Sequence, residues 1–365
     1  MALNGITKIF GYEKRMQKLI DFTLDIAHGC KFSCTGCHID KISGRLPTSV
    51  EFDQLDKLVD EMNSNGFNAM NLAIGPTDIM TAENRDDILL HPRIKNFANK
   101  FMKTTINCAF LEPHESDYVD LGKKLDWLLH GKMVKFVIPF EAFHIDNQSY
   151  IDKIREKVML TVENMPNVIH TKTYLNVNYE TTQIYDRQNN TNLTAELILK
   201  LYNSDLLDGL DVDLILPHPR SNLRNKFIGS EFIKAAKTLK QTLIDAREKY
   251  GIDNISIAEI DAEEGKDWDI IYKTGKLYMP PFLLEGLACF DKVFEIDREW
   301  SLAGLYDFYN NSFVKQVDWA STATECKDCR FVGLCAERGI HNLMMITGTQ
   351  DCISPAKDIG GNRIW

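Results

Sequence analysis

The feature that most constrains this chain is a repeated alternation of short apolar or β-branched runs with longer amphipathic stretches. The runs are 22–28 (FTLDIAH), 70–75 (MNLAIG), 104–110 (TTINCAF), 134–140 (VKFVIPF), 173–179 (TYLNVNY) and 211–217 (DVDLILP). Most are near-continuous in apolar character, as expected of parallel strands covered on both faces. The stretches between them read as helices. In the first, Thr48 and Glu51 form a capping-box pair, Phe52, Leu55, Val59 and Met62 make one apolar stripe, and Gly66 is a natural stop. Similar patterns run from Asp86 to Met102, Asp117 to His130, Tyr150 to Asn164 and Leu193 to Leu207. Six such strand–helix repeats argue for a parallel α/β sheet with right-handed crossovers. Periodicity alone does not decide between a flat doubly wound sheet and a curved partial barrel.

A long helical pattern near 224–250 and a strand-like run from Ile255 to Ile260 close this series. The stretch from Glu263 through Pro280 and Pro281 is charged, then proline-bearing, and reads as a passage into a second unit. That unit is expected to open with a strand at Lys292–Ile296. The division is therefore a lead-in over 1–19, a main α/β domain over 20–262, a linker over 263–284 and a small domain over 285–365.

Two function classes are disfavoured at this point. No run of about 18 apolar residues occurs, so no membrane span is expected. The formal net charge of −10 argues against a nucleic-acid surface. Residues Met1 to Tyr12 carry no apolar core of a secretory signal, which points to a cytoplasmic protein. Nine cysteines in such a setting should be reduced thiols or metal ligands. They are unevenly placed: Cys30, Cys34 and Cys37 near the start, Cys326, Cys329, Cys335 and Cys352 near the end, with Cys108 and Cys289 alone.

Cys30-Lys-Phe-Ser-Cys34-Thr-Gly-Cys37 is a C-x3-C-x2-C run directly after the first expected strand. Three thiolates in eight residues can wrap one face of a cubane iron–sulfur cluster, leaving its fourth iron without a protein ligand from this loop. An open position of that kind is where a substrate or cofactor coordinates. A zinc site and ordinary packing are the other readings of the same spacing. The loop and its position after the first strand resemble the radical S-adenosylmethionine superfamily. Gly36 stands where those enzymes usually carry an aromatic residue. The resemblance implies a partial (β/α)6 TIM-like barrel, a [4Fe–4S] cluster on Cys30, Cys34 and Cys37, and S-adenosylmethionine chelated to the open iron. It also implies that a methionine-binding turn follows the second strand, where Gly75-Pro76-Thr77-Asp78 gives a partial match. Gly75, Thr77 and Asp78 are the candidates for that contact. Further along, Glu141 and His144, Asn176 and Asn178, and His218 and Arg220 stand at the C-terminal ends of later strands, the mouth of such a barrel. Of these, Glu141, His144, Asn176, Asn178 and Arg220 are expected at the cofactor or substrate.

Cys326-x2-Cys329-x5-Cys335 and Cys352 supply four thiolates, enough to saturate a metal, so this site should be closed. Taken alone the pattern fits tetrahedral zinc equally well. It also resembles the SPASM and twitch extensions of radical enzymes. The last cysteine of their core motif falls at Gly339 here, so the resemblance implies one auxiliary [4Fe–4S] cluster and two clusters in all. For activity it implies an oxidoreductase that cleaves S-adenosylmethionine and abstracts a hydrogen atom, most directly to modify or crosslink a ribosomally made peptide. Oxidation of a small alcohol or sugar is the alternative. An external electron donor such as flavodoxin or ferredoxin is implied as partner. The stretch before Cys30 is expected to hold no separate leader-binding domain.

Overall fold

The computed structural model describes residues 19–32, 44–75, 77–140, 148–178, 209–213, 245, 255–257, 268–278, 294–295, 301–305, 318–320, 322 and 326–327. In chain order the strands are β1 Leu19–Asp25, β2 Asn68–Gly75, β3 Lys103–Asn107, β4 Met133–Phe140, β5 His170–Asn178, β6 Gly209–Asp213, β7 Ile255–Ile257, β8 Trp268–Lys273, β9 Lys276–Tyr278 and β10 Phe294–Glu295. The helices are α1 Ser49–Ser64, α2 Arg85–Leu89, α3 Pro92–Ala98, α4 Glu115–Leu128 and α5 Gln148–Glu163. All ten strands form one sheet in the order β10-β9-β8-β1-β2-β3-β4-β5-β6-β7. Every neighbouring pair from β8 through β1 to β7 is parallel, and β9 and β10 are added antiparallel at one edge.

The helices cover one face of this sheet. Ile20, Phe22 and Leu24 of β1, Leu72 and Ile74 of β2, and Val134, Phe136 and Ile138 of β4 are at most 2% exposed. They join Leu55, Val59 and Met62 of α1, Phe97 of α3, and Leu121 and Leu125 of α4 in one core. Strand residues of the other parity are half-buried and largely polar: Asp21, Thr23, Asn71, Thr105, Lys135 and Tyr174. Helix α1 is built as its sequence dictates. Thr48 and Glu51 cap each other, Phe52, Leu55, Val59 and Met62 are buried, and Gly66 (φ +83°) turns the chain away. No helix among the described residues is long and apolar enough to cross a membrane.

Three expectations meet a different outcome. The pattern over Asp86–Met102 is two helices, because Pro92 offers no N–H and forces His91 into extended geometry (ψ 118°). His91 then caps α3, its Nδ1 accepting from Arg93 N at 3.2 Å. The strand expected over 22–28 is displaced to Leu19–Asp25, because the main chain at Ile26 and His28 bonds to a side chain instead of a neighbouring strand. The stretch read as a linker supplies β8 and β9. Their two-residue turn, Thr274 and Gly275, has positive φ at both positions, the geometry of a tight type I′ hairpin. Strand β8 lies beside β1, with Phe22 opposite Ile270, so the parallel series returns to its first strand. The helices expected over Leu193–Leu207 and near 224–250 lie outside the described residues, apart from Asp245.

Candidate active site

The C-terminal ends of β1, β2 and β3 converge on Cys30. Beyond Asp25 the chain leaves the ladder, and Asn84 takes over its hydrogen bonds. His28 N donates to Asn84 Oδ1 (2.8 Å), and Asn84 Nδ2 donates to the Ile26 carbonyl (2.9 Å). Glu83 N donates to the His28 carbonyl (2.7 Å), completing a lacing between the segments 26–30 and 81–84. Thr81 Oγ1 donates to Cys30 Sγ at 3.8 Å. That hydroxyl is a hydrogen-bond donor aimed at the sulfur expected to ligate iron. On the other side Lys31 Nζ lies 3.5 Å from Glu112 Oε2, a contact in the loop after β3.

The loop that starts at Cys30 returns to its origin. A Cβ on Gly44 would lie 1.9 Å from the Ala27 carbonyl oxygen and 2.5 Å from its carbon. Only glycine permits that backbone contact, so the segment holding Cys30, Cys34 and Cys37 is pinched shut between Ala27 and Gly44. Arg45 follows at once and grips Glu51 with both arms, Nη1–Oε2 at 2.7 Å and Nη2–Oε1 at 2.6 Å. Glu51 also accepts from Thr48 N (2.6 Å). The Arg45 hydrogen bond holds its carboxyl at about 2, well below the usual 4.5. The β8–β9 hairpin braces both ends of the pinch. Gly275 leaves no room for a Cβ against Glu51 Oε1, and Lys273 Nζ pairs with Asp25 Oδ2 at 2.9 Å, both side chains nearly buried.

At the end of β2, Gly75 (φ +149°) shapes a small cradle. A Cβ there would meet the Thr77 main chain and Asn107 Nδ2 at 3.2–3.3 Å. Thr77 is 4% exposed, and its buried hydroxyl has no hydrogen-bond partner among the described residues. A buried hydroxyl without a partner is costly unless something else completes it. Asp78, next in the chain, is bonded to the main chain. Its Oδ1 accepts from Thr81 N (3.0 Å) and its Oδ2 from Ala109 N. Burial pushes its pKa up, and the main-chain donors of Ala109, Thr81 and Met80 oppose that shift. Both oxygens are thus engaged in tying the loop after β2 to the loop after β3. Ile79 N adds a bond to the Asn107 carbonyl (3.0 Å). Cys108 lies fully buried behind this tie, its thiol pushed well up by burial, then by the nearby Asp78 charge. Such a thiol is inert.

The structure thus places the expected site residues unequally. Cys30, Thr77 and Asp78 come together around Thr81 and the strand ends. Asn176 and Asn178 are strand residues of β5, opposite Pro139 and Asp211 and opposite Asp213 respectively. Cys326 is a buried thiol. Cys34, Cys37, Glu141, His144, Arg220, Cys329, Cys335 and Cys352 lie outside the described residues. Thr81, Asn84, Gly44 and Glu112 escaped sequence reasoning. Each acts through contacts to residues 17 to 81 positions away, and no periodicity signals such contacts.

No family model and no curated protein matches this chain. Solved structures do match in fold. SuiB of Streptococcus suis, bound to precursor peptide SuiA, superposes with a TM-score of 0.57 at 11% identity, over 96% of this chain and 77% of SuiB. Native anSMEcpe with bound AdoMet gives 0.53 at 14% identity, over 87% of this chain and 88% of that one. The same protein with AdoMet and the Kp18Cys peptide gives 0.54 at 12%, over 90% and 97%. The chain therefore has the fold of SuiB and anSMEcpe, a mainly parallel α/β partial barrel.

Proposed function

We propose that this chain is a radical S-adenosylmethionine enzyme that modifies a peptide. The observation that carries the reading is Cys30 just beyond the C-terminal end of β1, its sulfur hydrogen-bonded by Thr81, in a loop pinched at Gly44. Cys30, Cys34 and Cys37 would hold a [4Fe–4S] cluster. When bound, the cluster and S-adenosylmethionine supply a low-potential electron and a carbon radical that removes a substrate hydrogen.

The residues of the chain have defined tasks in this reading. Thr81 donates to a ligating sulfur. Asn84 and Gly44 fix the path of the loop before and after the cysteines. Gly75 leaves its main chain open to a small polar group, and the Thr77 hydroxyl is a ready partner for one. Asp78 acts as a positioning residue, holding that turn rather than touching the cofactor. Asn176, Asn178, Glu141, His144 and Arg220 remain proposed contacts to cofactor or substrate. Cys326, Cys329, Cys335 and Cys352 are proposed to hold a second, closed cluster in a C-terminal domain, with flavodoxin or ferredoxin as electron donor. SuiB and anSMEcpe were both solved with peptides bound, and that shared property supports a peptide over a small alcohol or sugar.

Anaerobic reconstitution tests the reading. Eight irons and eight sulfides per chain are expected for two four-iron clusters, on the order of half of which should remain after Cys30, Cys34 and Cys37 are replaced by alanine. Under dithionite the intact protein should release 5′-deoxyadenosine from S-adenosylmethionine, and the triple variant none. Stoichiometric zinc with no iron, or no release from the iron-loaded protein, would overturn it.

A further inference from the structure

The hydroxyl of Thr81 is held against Cys30 by bonds made elsewhere. Thr81 is buried, and its main-chain N–H donates to Asp78 Oδ1 at 3.0 Å. The other oxygen of Asp78, also buried, accepts from Ala109 N in the segment after β3. Residue 81 is therefore anchored to the ends of both β2 and β3. A second set of bonds brings Cys30 to it. Glu83 N donates to the His28 carbonyl (2.7 Å), His28 N to Asn84 Oδ1 (2.8 Å) and Asn84 Nδ2 to the Ile26 carbonyl (2.9 Å). Gly29 turns the chain just before the cysteine with φ +75°, and a Cβ there would lie 2.9 Å from Glu83 Cγ. The segments that carry the two residues are thus bonded to each other three times, and between them Thr81 Oγ1 meets Cys30 Sγ at 3.8 Å.

Thr81 Oγ1 also lies 3.5 Å from the Asp78 carbonyl. A hydroxyl has one proton to give, so the two acceptors compete for it. A cysteine sulfur bound to a metal is deprotonated, and a hydrogen bond to a charged acceptor is roughly twice as strong as one to a neutral acceptor. Iron on Cys30 therefore turns the hydroxyl toward the sulfur. Such a bond has a redox consequence. Reduction adds one electron, supplied by the external donor, and moves no proton. A donor on a ligating sulfur stabilises the state with the extra negative charge, which raises the reduction potential. Burial of Thr81 strengthens the effect, because the dipole of its hydroxyl is weakly screened.

We infer that Thr81 sets the reduction potential of the cluster that Cys30 would hold: its buried hydroxyl, positioned by Asp78, hydrogen-bonds the ligating sulfur and raises that potential. The inference rests on the proposed iron–sulfur function and adds to it the residue that tunes the cluster. The hydroxyl is the active part of the side chain. The methyl group of threonine fills space, and its loss alone leaves the potential in place.

Potentiometric titration of the reconstituted full-length protein, followed by electron paramagnetic resonance, provides the test. The signal that changes when S-adenosylmethionine is added identifies the cluster on Cys30. Three variants separate hydroxyl from size. Thr81→Val keeps the shape without the hydroxyl, Thr81→Ala lacks the hydroxyl and is smaller, and Thr81→Ser keeps the hydroxyl without the methyl group. In Thr81→Val and Thr81→Ala the reduction equilibrium should shift roughly three- to tenfold toward the oxidised state, a potential lower by up to ~59 mV for one electron. Thr81→Ser should stay within about twofold of wild type. If the valine does not fit, the alanine and serine variants carry the same comparison. Equal potentials in all the proteins at matched iron content overturn the inference. So does a potential that follows side-chain size, with serine grouped with alanine. The two readings fail separately. A chain that forms the cluster and releases 5′-deoxyadenosine, with the same potential with and without the Thr81 hydroxyl, loses this inference alone. A chain that takes up no iron, or has no signal responsive to S-adenosylmethionine, loses the proposed function and the inference with it.

Discussion

The two faces of the sheet are made from the same strands and have opposite characters. On the helix side, Phe22, Leu24, Leu72, Ile74, Phe136 and Ile138 are sealed, and aromatic contacts such as Phe110 edge-on to Phe136 (5.5 Å) lock them together. On the other side, alternate residues of these strands are polar and half-exposed. Thr105 Oγ1 donates to Asn71 Oδ1 at 2.7 Å there, and Lys135 Nζ lies 4.0 Å from the centre of the Tyr174 ring. The difference teaches a division of labour. A parallel sheet with helices on one face draws its stability from that face, which leaves the other free to carry charged and polar side chains that a core would not tolerate.

Substitutions can break or sharpen this division. The largest effect is expected on the sealed face: Phe136→Ala should cost about 3–5 kcal/mol of unfolding free energy, measured by urea titration. A cost below about 1 kcal/mol would mean that the helices do not carry the fold. Next comes the pinch. Gly44→Ala forces a shift of the Ala27 main chain, at a cost of about 1–3 kcal/mol, and should lower iron uptake on reconstitution more than Phe136→Ala does at matched temperature below melting. Equal iron content in both variants would detach the pinch from the cysteine loop.

The third expectation is pH-dependent. Glu51 is depressed in the folded state from 4.5 to about 2, so its stabilising contribution is complete above pH 4.5 and is lost as pH falls toward 2. Arg45 is 44% exposed, so solvent screening reduces the contribution to about 1–2 kcal/mol. Glu51→Gln should remove that difference at pH 6 and converge with wild type near pH 2. Parallel acid titration curves would show that the Arg45 pair contributes nothing. The smallest effect is expected on the open face, where Thr105→Val should cost no more than about 1 kcal/mol in thermal melting. A loss near that of Phe136→Ala would erase the distinction between the faces.

The order and type of β1 to β7 were legible because strand character is written in consecutive residues. The capping of α1 was legible for the same reason, since Thr48 and Glu51 are three positions apart. Pro92 carried a signal for the break in the helical pattern, and the amphipathic period across it concealed the break. Strand β8 was hidden by its setting. WDIIYK and KLY around Thr-Gly form a readable hairpin, but the nearby charges and prolines suggested a linker. Its place beside β1 is a long-range choice that no local pattern encodes. At the candidate site, the place of Cys30 and Thr77 just beyond the ends of β1 and β2 was readable from motif and position. The use of Asp78 as a main-chain acceptor was not, because it depends on where Ala109 falls after two helices and a strand.

The contact between Gly44 and Ala27 has an evolutionary meaning. Fixing both ends of a segment at one point separates its length from the geometry of the barrel. Closing such a loop costs an entropy that grows only logarithmically, about 0.6 kcal/mol for each doubling of its length. Residues inserted or deleted between the two ends would therefore barely register in the stability of the sheet. The strands can stay constant while the loop is rewritten, and the same neck could accept a cysteine loop grafted from another barrel.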